Sequence, residues 1–252
     1  MIVGTHALVT GGGTGVGRAI ALALAEAGIA VTICGRRQAQ LEAVAGQNKR
    51  ISAIAADVTQ EAAIAALYTE AEAARGAIDI VVANAGMAEA GPAHRTSLAD
   101  WQRTLDVNLT GSFLTVKPAL SGMTKRKSGR IVFVASTAGL KGYAYVAPYV
   151  ASKHGVVGLM RALATEVVKS GVTVNAVCPG FVESDMLEDS VQRIVRTTGR
   201  SVAEARASLS ATNPQGRFIQ PDEVAATVLW LCSEAAGSVT GQAISLSGGE
   251  TW

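Results

Sequence analysis

Tyr149 and Lys153 stand four residues apart in a stretch with helical spacing, so they share one helix face. An ammonium beside a phenol favours the phenolate and lowers the phenol pKa, which poises a tyrosine for proton transfer near neutral pH. Ser136 closes an apolar run upstream, and its hydroxyl can polarise a carbonyl. A second feature has a different chemistry. Thr10-Gly11-Gly12-Gly13-Thr14-Gly15-Val16-Gly17 separates an apolar run from a helical pattern. Glycines permit a tight turn and a close backbone approach to a pyrophosphate, and the helix that follows aims free N–H groups at the anion. A third feature follows the next apolar run, at Cys34-Gly35-Arg36-Arg37. No acid stands between Val31 and Arg37 to hold the ribose hydroxyls of NAD. Arg36 and Arg37 suit a 2′-phosphate instead, which favours NADP, with NAD as the alternative.

These residues need elements to hold them. Apolar runs predict strands at Val3–Val9, Ala30–Cys34, Ile51–Ala55, Ile78–Ala83, Arg130–Ala135, Val172–Val177 and Gln242–Leu246. Between them, helical spacing covers Gly15–Ala27, Gln38–Ala45 and Gln60–Arg75. A further helix starts at the N-cap Ser97 and runs to about Met123, where Pro118 should kink it or end its regular part. Pro148–Lys169 and Pro221–Cys232 complete the set, with a more polar helical stretch, Ser184–Ala211, broken at Gly199 and Ser201. Strands apolar on both faces, alternating with helices, predict an α/β fold: a doubly wound, seven-stranded parallel sheet with helices on both faces, in a single domain over 1–252. Ligands of such sheets bind beyond the carboxyl ends of the strands, where the three features fall.

Composition narrows the classes. The chain has 252 residues, 49% hydrophobic and 17% charged, enough apolar content for a large core and too much for a disordered chain. A net charge of +2 without a long basic block argues against nucleic acid. No membrane span or secretory signal is expected, because the best apolar stretch, between Arg18 and Arg36, carries Glu26 and Gly28 at its middle. Three cysteines (Cys34, Cys178, Cys232) and three histidines (His6, His94, His154) lack disulfide or metal spacing, so a cytoplasmic protein without a metal site is expected. Cys178 reads as a small buried hydrophobe, and His94 and His154 as solvated or structural residues.

Taken together, the chain resembles the short-chain dehydrogenase/reductase family over essentially its whole length. Thr10-Gly11-x-x-x-Gly15-x-Gly17, Asn84-Ala85-Gly86, Asn108, the Ser136…Tyr149-x-x-x-Lys153 set and Pro179-Gly180 each match a motif of that family. The resemblance implies a Rossmann-like fold and hydride transfer between NADP(H) and a ketone or secondary alcohol. It implies that Tyr149 is the acid of reduction and base of oxidation, and that Lys153 lowers its pKa and holds the nicotinamide ribose. Ser136 would orient the substrate oxygen, and Asn108 would support a proton-relay water. Asp57 and Val58 would bind adenine, and Val182 and Ser184 the carboxamide, with Ser184 standing where threonine is usual. Segment 181–216 would form a substrate lid. Leu140, Tyr143, Tyr145, Phe181 and Met186 are expected to line the substrate cleft. Arg193, Arg196, Arg200 and Arg206 in the lid would suit the phosphates of an acyl thioester, which leaves a 3-oxoacyl thioester and a free ketone or alcohol as alternatives. A homotetramer is implied, with Trp252 at a subunit contact. The competing readings are an NAD-linked secondary alcohol or 3-hydroxyacyl-thioester dehydrogenase, a family member performing isomerisation, epimerisation or dehydration, and a dinucleotide-binding sensor without catalysis.

Overall fold

The computed structural model describes residues 1–251; the expectation for Trp252 lies outside the described residues. The apolar runs become seven strands: β1 (His6–Thr10), β2 (Ala30–Gly35), β3 (Ile51–Ala55), β4 (Ile80–Ala83), β5 (Gly129–Val134), β6 (Val172–Pro179) and β7 (Ala243–Leu246). They form one sheet in the order β3-β2-β1-β4-β5-β6-β7, with all six pairings parallel. Alternate strand residues point to opposite faces, and each face is covered. Val9, Ile33 and Val82 pack with Ile20 and Leu24 of α1 (Gly15–Glu26), Leu41 of α2 (Gln38–Ala45) and Val228 of α9 (Pro221–Leu231). Leu8, Val81 and Phe133 pack on the other face with Leu67 of α3 (Glu61–Arg75), Met123 of α5 (Gly111–Arg126) and Met160 of α6 (Ala147–Val167). The winding reverses between β1 and β4, which opens a crevice beyond their carboxyl ends.

Some boundaries differ from the sequence reading, each for a local reason. β1 begins at His6, because Gly4 turns the chain with φ +86 and the Val3 amide bonds to the Cys232 carbonyl. β4 begins at Ile80, because Ile78 donates its amide to Glu72 and Asp79 accepts from the Thr5 amide. Ser97 caps α4 (Leu98–Leu105) as expected, accepting from the Asp100 amide at 3.0 Å. The helix does not end at Pro118: α5 runs through it, with the proline on the exposed side. The irregularity lies earlier, in a π-helical turn at Asp106–Thr110 between α4 and α5. Such turns are frequent at functional sites, and this one turns Asn108 inward to full burial. α6 gives way to a 3-10 turn, Val168–Ser170, closed by left-handed Gly171. The polar stretch forms α7 (Asp185–Thr198) and α8 (Val202–Ser210), separated at left-handed Gly199 and restarted by a Ser201/Glu204 capping box.

Candidate active site

A cavity of about 1110 Å³ opens over the carboxyl ends of the strands. Residues from all three sequence features line it: Gly11, Gly13, Thr14, Gly15, Val16 and Gly17; Arg36 and Arg37; Ser136, Tyr149 and Lys153. Asp57, Val58, Asn84, Ala85, Gly86, Pro179, Gly180, Val182 and Ser184 also line it.

The glycine turn is shaped by what it lacks. Gly11 sits at φ +66, and a methyl there would approach Asn84 Nδ2 at 2.9 Å. At Gly17 the obstruction is worse, with a methyl 2.3 Å from the Gly11 carbonyl. Asn84 stitches the two strand ends: its Nδ2 donates to the Thr10 carbonyl at 2.8 Å, while Thr10 Oγ1 accepts the Asn84 and Ala85 amides at 3.0 and 3.1 Å. Helix α1 then starts after its N-cap Thr14, whose side chain makes no capping bond, and has no acid in its first turn. Its leading N–H groups are left for an anion. This cradle fits a pyrophosphate. At the end of β2, Arg36 and Arg37 are exposed and make no side-chain hydrogen bond or ion pair among the described residues, so both are available to a further phosphate. Asp57 Oδ1 accepts from the Thr59 amide and hydroxyl at 3.0 and 2.8 Å, and these bonds, with Arg36 nearby, hold its carboxyl below the usual range.

Lys153 is buried, and its ammonium donates to the Val134 carbonyl at 2.8 Å. Desolvation lowers its pKa to about 8. The ammonium lies 5.7 Å from the centroid of the Tyr149 ring. The expected lowering of the Tyr149 pKa is reversed here. Burial raises it, and the nearby Ser136 hydroxyl opposes only part of that rise. Ser136 Oγ also accepts from the Ala138 amide at 3.1 Å, which fixes the hydroxyl at the end of β5.

Asn108 lies one layer behind the cavity wall. Its Oδ1 accepts from the Met87 amide at 2.8 Å, and its Nδ2 donates to the Met87 carbonyl and Ser152 Oγ at 3.0 and 2.9 Å. This clasp fixes the Gly86–Met87 backbone beside Lys153: a methyl on Gly86 would sit 3.6 Å from its Nζ.

On the substrate side, Tyr143, Tyr145, Phe181 and Met186 line the cavity. Leu140 does not, correcting the sequence reading: it packs against the apolar layer under α6. Of the four arginines in segment 181–216, Arg193 and Arg200 line the cavity and Arg196 does not. Arg206 is engaged elsewhere, paired with Glu183 and Glu188 at 2.5 and 3.3 Å and lying 5.0 Å from the Phe218 ring centroid. Two residues escaped the sequence reading. Arg95, in the loop after β4, lines the cavity; a cation so soon after a strand end was its only signal. Glu250 contacts Tyr143 from the chain's end, and an acid following Ser247-Gly248-Gly249 after the last strand was the only hint.

The three cysteines are free and buried, and burial pushes the thiols of Cys34 and Cys232 up to about 12 and that of Cys178 to about 11. No group of metal-binding side chains forms, and no helix is long and apolar enough to cross a membrane, among the described residues.

Residues 5–194 match the family model described as short chain dehydrogenase. The chain is 39% identical over 249 residues to a putative ketoacyl reductase of granaticin polyketide synthase from Streptomyces violaceoruber, covering 96% of this chain and 92% of that one. It is 38% identical to the 3-oxoacyl-[acyl-carrier-protein] reductase of Aquifex aeolicus, covering 98% and 97%. A solved actinorhodin polyketide ketoreductase variant with NADPH superposes with a TM-score of 0.95 at 37% identity, covering 98% of this chain and 97% of that one.

Proposed function

Because the chain belongs to the short-chain dehydrogenase/reductase family, we propose that it is an oxidoreductase that transfers a hydride between NADP(H) and a ketone or secondary alcohol, with Tyr149, Lys153, Ser136 and Asn108 as its working set. The observation that carries this reading is the meeting of Ser136, Tyr149 and Lys153 in the same cavity as the glycine cradle and the unpaired Arg36 and Arg37. The glycine turn and the first amides of α1 hold the pyrophosphate, Arg36 and Arg37 the 2′-phosphate, and Asp57 and Val58 the adenine. Asn84, Ala85 and Gly86 wall the groove; Val182 and Ser184 hold the carboxamide.

When bound, the nicotinamide supplies or accepts the hydride. The protein's residues manage the proton and the geometry. Ser136 and Tyr149 both donate to the substrate oxygen, which aligns the carbonyl and draws charge toward the oxygen as it develops. Tyr149 then delivers its proton in reduction and takes it back in oxidation. Lys153, a cation buried beneath the phenol, stabilises the tyrosinate left behind and grips the ribose. Asn108 keeps the Gly86–Met87 backbone against Lys153 and supports the water that returns the proton.

The preferred substrate class is a 3-oxoacyl thioester. Arg95, Arg193 and Arg200 line the cavity without an acidic partner among the described residues, a setting for the phosphates of a thioester carrier, and several relatives bear ketoacyl reductase names. Segment 181–216 serves as the lid over this substrate. The enzyme works in the cytoplasm, a reading the free, buried cysteines support, and assembles as a homotetramer. Leu98 and Phe113, on neighbouring helices α4 and α5, offer apolar surface for that assembly.

The test is NADPH oxidation with a panel of ketones and 3-oxoacyl thioesters. Tyr149→Phe should lower turnover by roughly 10²-fold or more while NADPH affinity, read by fluorescence, is kept. A near-wild-type rate in that variant would overturn the assignment.

A further inference from the structure

Glu250 is a buried carboxylate for which hydride transfer has no use. It follows β7 and two left-handed glycines, Gly248 at φ +62 and Gly249 at φ +97, which turn the chain's end back over the strand ends. Its side chain is 3% exposed. Oε1 accepts the Tyr143 hydroxyl at 2.7 Å and lies 3.0 Å from the Lys141 ammonium. Oε2 has no hydrogen-bond partner among the described residues. It rests against Gly180, where a methyl would meet it at 3.3 Å.

Tyr143 is committed on every side. Its one proton goes to the carboxylate, so the Thr137 hydroxyl, 2.7 Å away, must donate to the phenol oxygen. Burial and the carboxylate raise the Tyr143 pKa, so the donor is retained across physiological pH. Lys141 lies 5.0 Å from the ring centroid, within cation–π range. The hydroxyl therefore has nothing left to donate to a substrate, and what Tyr143 contributes to the cavity is a wall.

Burying a carboxylate with a free oxygen is costly, and it persists when neighbouring groups hold it in place. We propose that Glu250 is a positioning residue for substrate selection. It fixes the Tyr143 ring as a rigid wall of the substrate cleft, and by its contact with Gly180 sets that wall against the root of segment 181–216. The wall excludes ketones with bulk beside the carbonyl. The proposal rests on the hydride-transfer reading above.

The experiment compares kcat/KM for ethyl acetoacetate and for its tert-butyl ketone analogue, ethyl pivaloylacetate, with NADPH as cofactor. Glu250→Leu, Glu250→Gln, Tyr143→Phe and the Glu250→Leu/Tyr143→Phe pair are measured beside wild type. Glu250→Leu and Tyr143→Phe should each relax the preference for the compact ketone by about tenfold, the size of one charge-assisted hydrogen bond. The gain should appear in KM for the bulky ketone. The pair should relax it no further, because one link is broken twice. Glu250→Gln keeps an acceptor for Tyr143 and should preserve most of the preference. If Glu250→Leu fails to fold, Tyr143→Phe breaks the same link from the other side, and an unchanged ratio there would overturn the proposal. Additive effects, or an unchanged ratio in a folded Glu250→Leu, would also overturn it. Wild-type activity alongside such a result would leave the hydride-transfer reading standing. A wild type inactive on every ketone and thioester of the panel would remove both.

Discussion

The two halves of the cavity are built from opposite materials. The cofactor half is made of backbone and of side chains that are missing. A methyl at Gly17 would fall 2.3 Å from the Gly11 carbonyl and 2.4 Å from Asn84 Nδ2, so any side chain there displaces the turn itself. The substrate half is made of side chains on a more detached unit. Segment 181–216 carries its own small core of Leu187, Val191 and Ala205, and Arg206 ties α8 to Glu183 and Glu188. Its glycines at 199 and 216 have positive φ, but a methyl on either would meet nothing within 4 Å, so only the backbone conformation constrains them. Geometry that depends on absent side chains admits few substitutes. Geometry made of side chains on a separable unit can be rewritten while the sheet beneath stays the same.

The largest effect that would sharpen this contrast is at Arg36. If the cofactor half discriminates by charge at the end of β2, Arg36→Ala should weaken NADPH binding by roughly 10–100-fold, the worth of charge-assisted bonds to a phosphate, and leave NADH binding nearly unchanged. Paired fluorescence titrations decide it. Equal losses for both cofactors, or tighter NADH binding by wild type, would make the arginines bystanders and shift the reading toward NAD-linked alcohol oxidation.

A smaller effect belongs to the substrate half. Arg193→Ala with Arg200→Ala should raise KM for a 3-oxoacyl thioester of coenzyme A several-fold, on the order of 1 kcal/mol for charges in contact with solvent, with little change for a small free ketone. The effect should shrink as salt rises. Matching Michaelis constants for the thioester in variant and wild type would leave the arginines as solvated lid residues and favour a free ketone.

The same contrast explains what the sequence made legible. The cofactor half was readable because each of its constraints has a local signature: glycines where no Cβ fits, a missing acid before Arg36 and Arg37, and Tyr149 and Lys153 one helical turn apart. The sheet was readable for a similar reason, since both of its faces are buried and its strands are continuous apolar runs. Long-range contacts were not. Leu140 was assigned to the cleft because of its place between Ser136 and Tyr149, but its direction is set by packing under α6. Pro118 suggests a kink or a helix end because propensity sees only the chain, whereas α5 continues past it with the ring on the exposed side. The π-turn that buries Asn108 leaves no residue-type signal, and Glu250 reaches Tyr143 across 107 positions of chain. The lowering of the Tyr149 pKa expected from Lys153 failed for a related reason: spacing shows that two groups are neighbours, but burial decides the sign.

The smallest effect concerns the cofactor half's foundation at the far end of β1. His6 is fully buried, with Nδ1 at 2.8 Å from the Gly76 carbonyl and Nε2 at 2.9 Å from Thr32 Oγ1. The carbonyl can only accept, so Nδ1 carries the proton and neutral Nε2 accepts from Thr32. Desolvation lowers the His6 pKa below its usual 6.5, against the weaker pull of the Gly76 carbonyl. The unfolded chain therefore binds this proton more readily than the folded one. The contribution to stability is present above about 6.5, the unfolded value, and is lost as pH falls below it, by at most about 1.4 kcal/mol per pH unit. Urea unfolding between neutral and mildly acidic pH should show this slope in wild type. His6→Gln should lower stability at neutral pH, because it disturbs a buried hydrogen-bond pair, and should flatten the slope. An equal slope in both proteins would place the acid sensitivity elsewhere. The substrate half offers no counterpart in this pH range, since segment 181–216 contains no histidine. A slope that follows His6 would thus locate acid sensitivity under the cofactor cradle, with NADPH expected to offset it by mass action on the folded state.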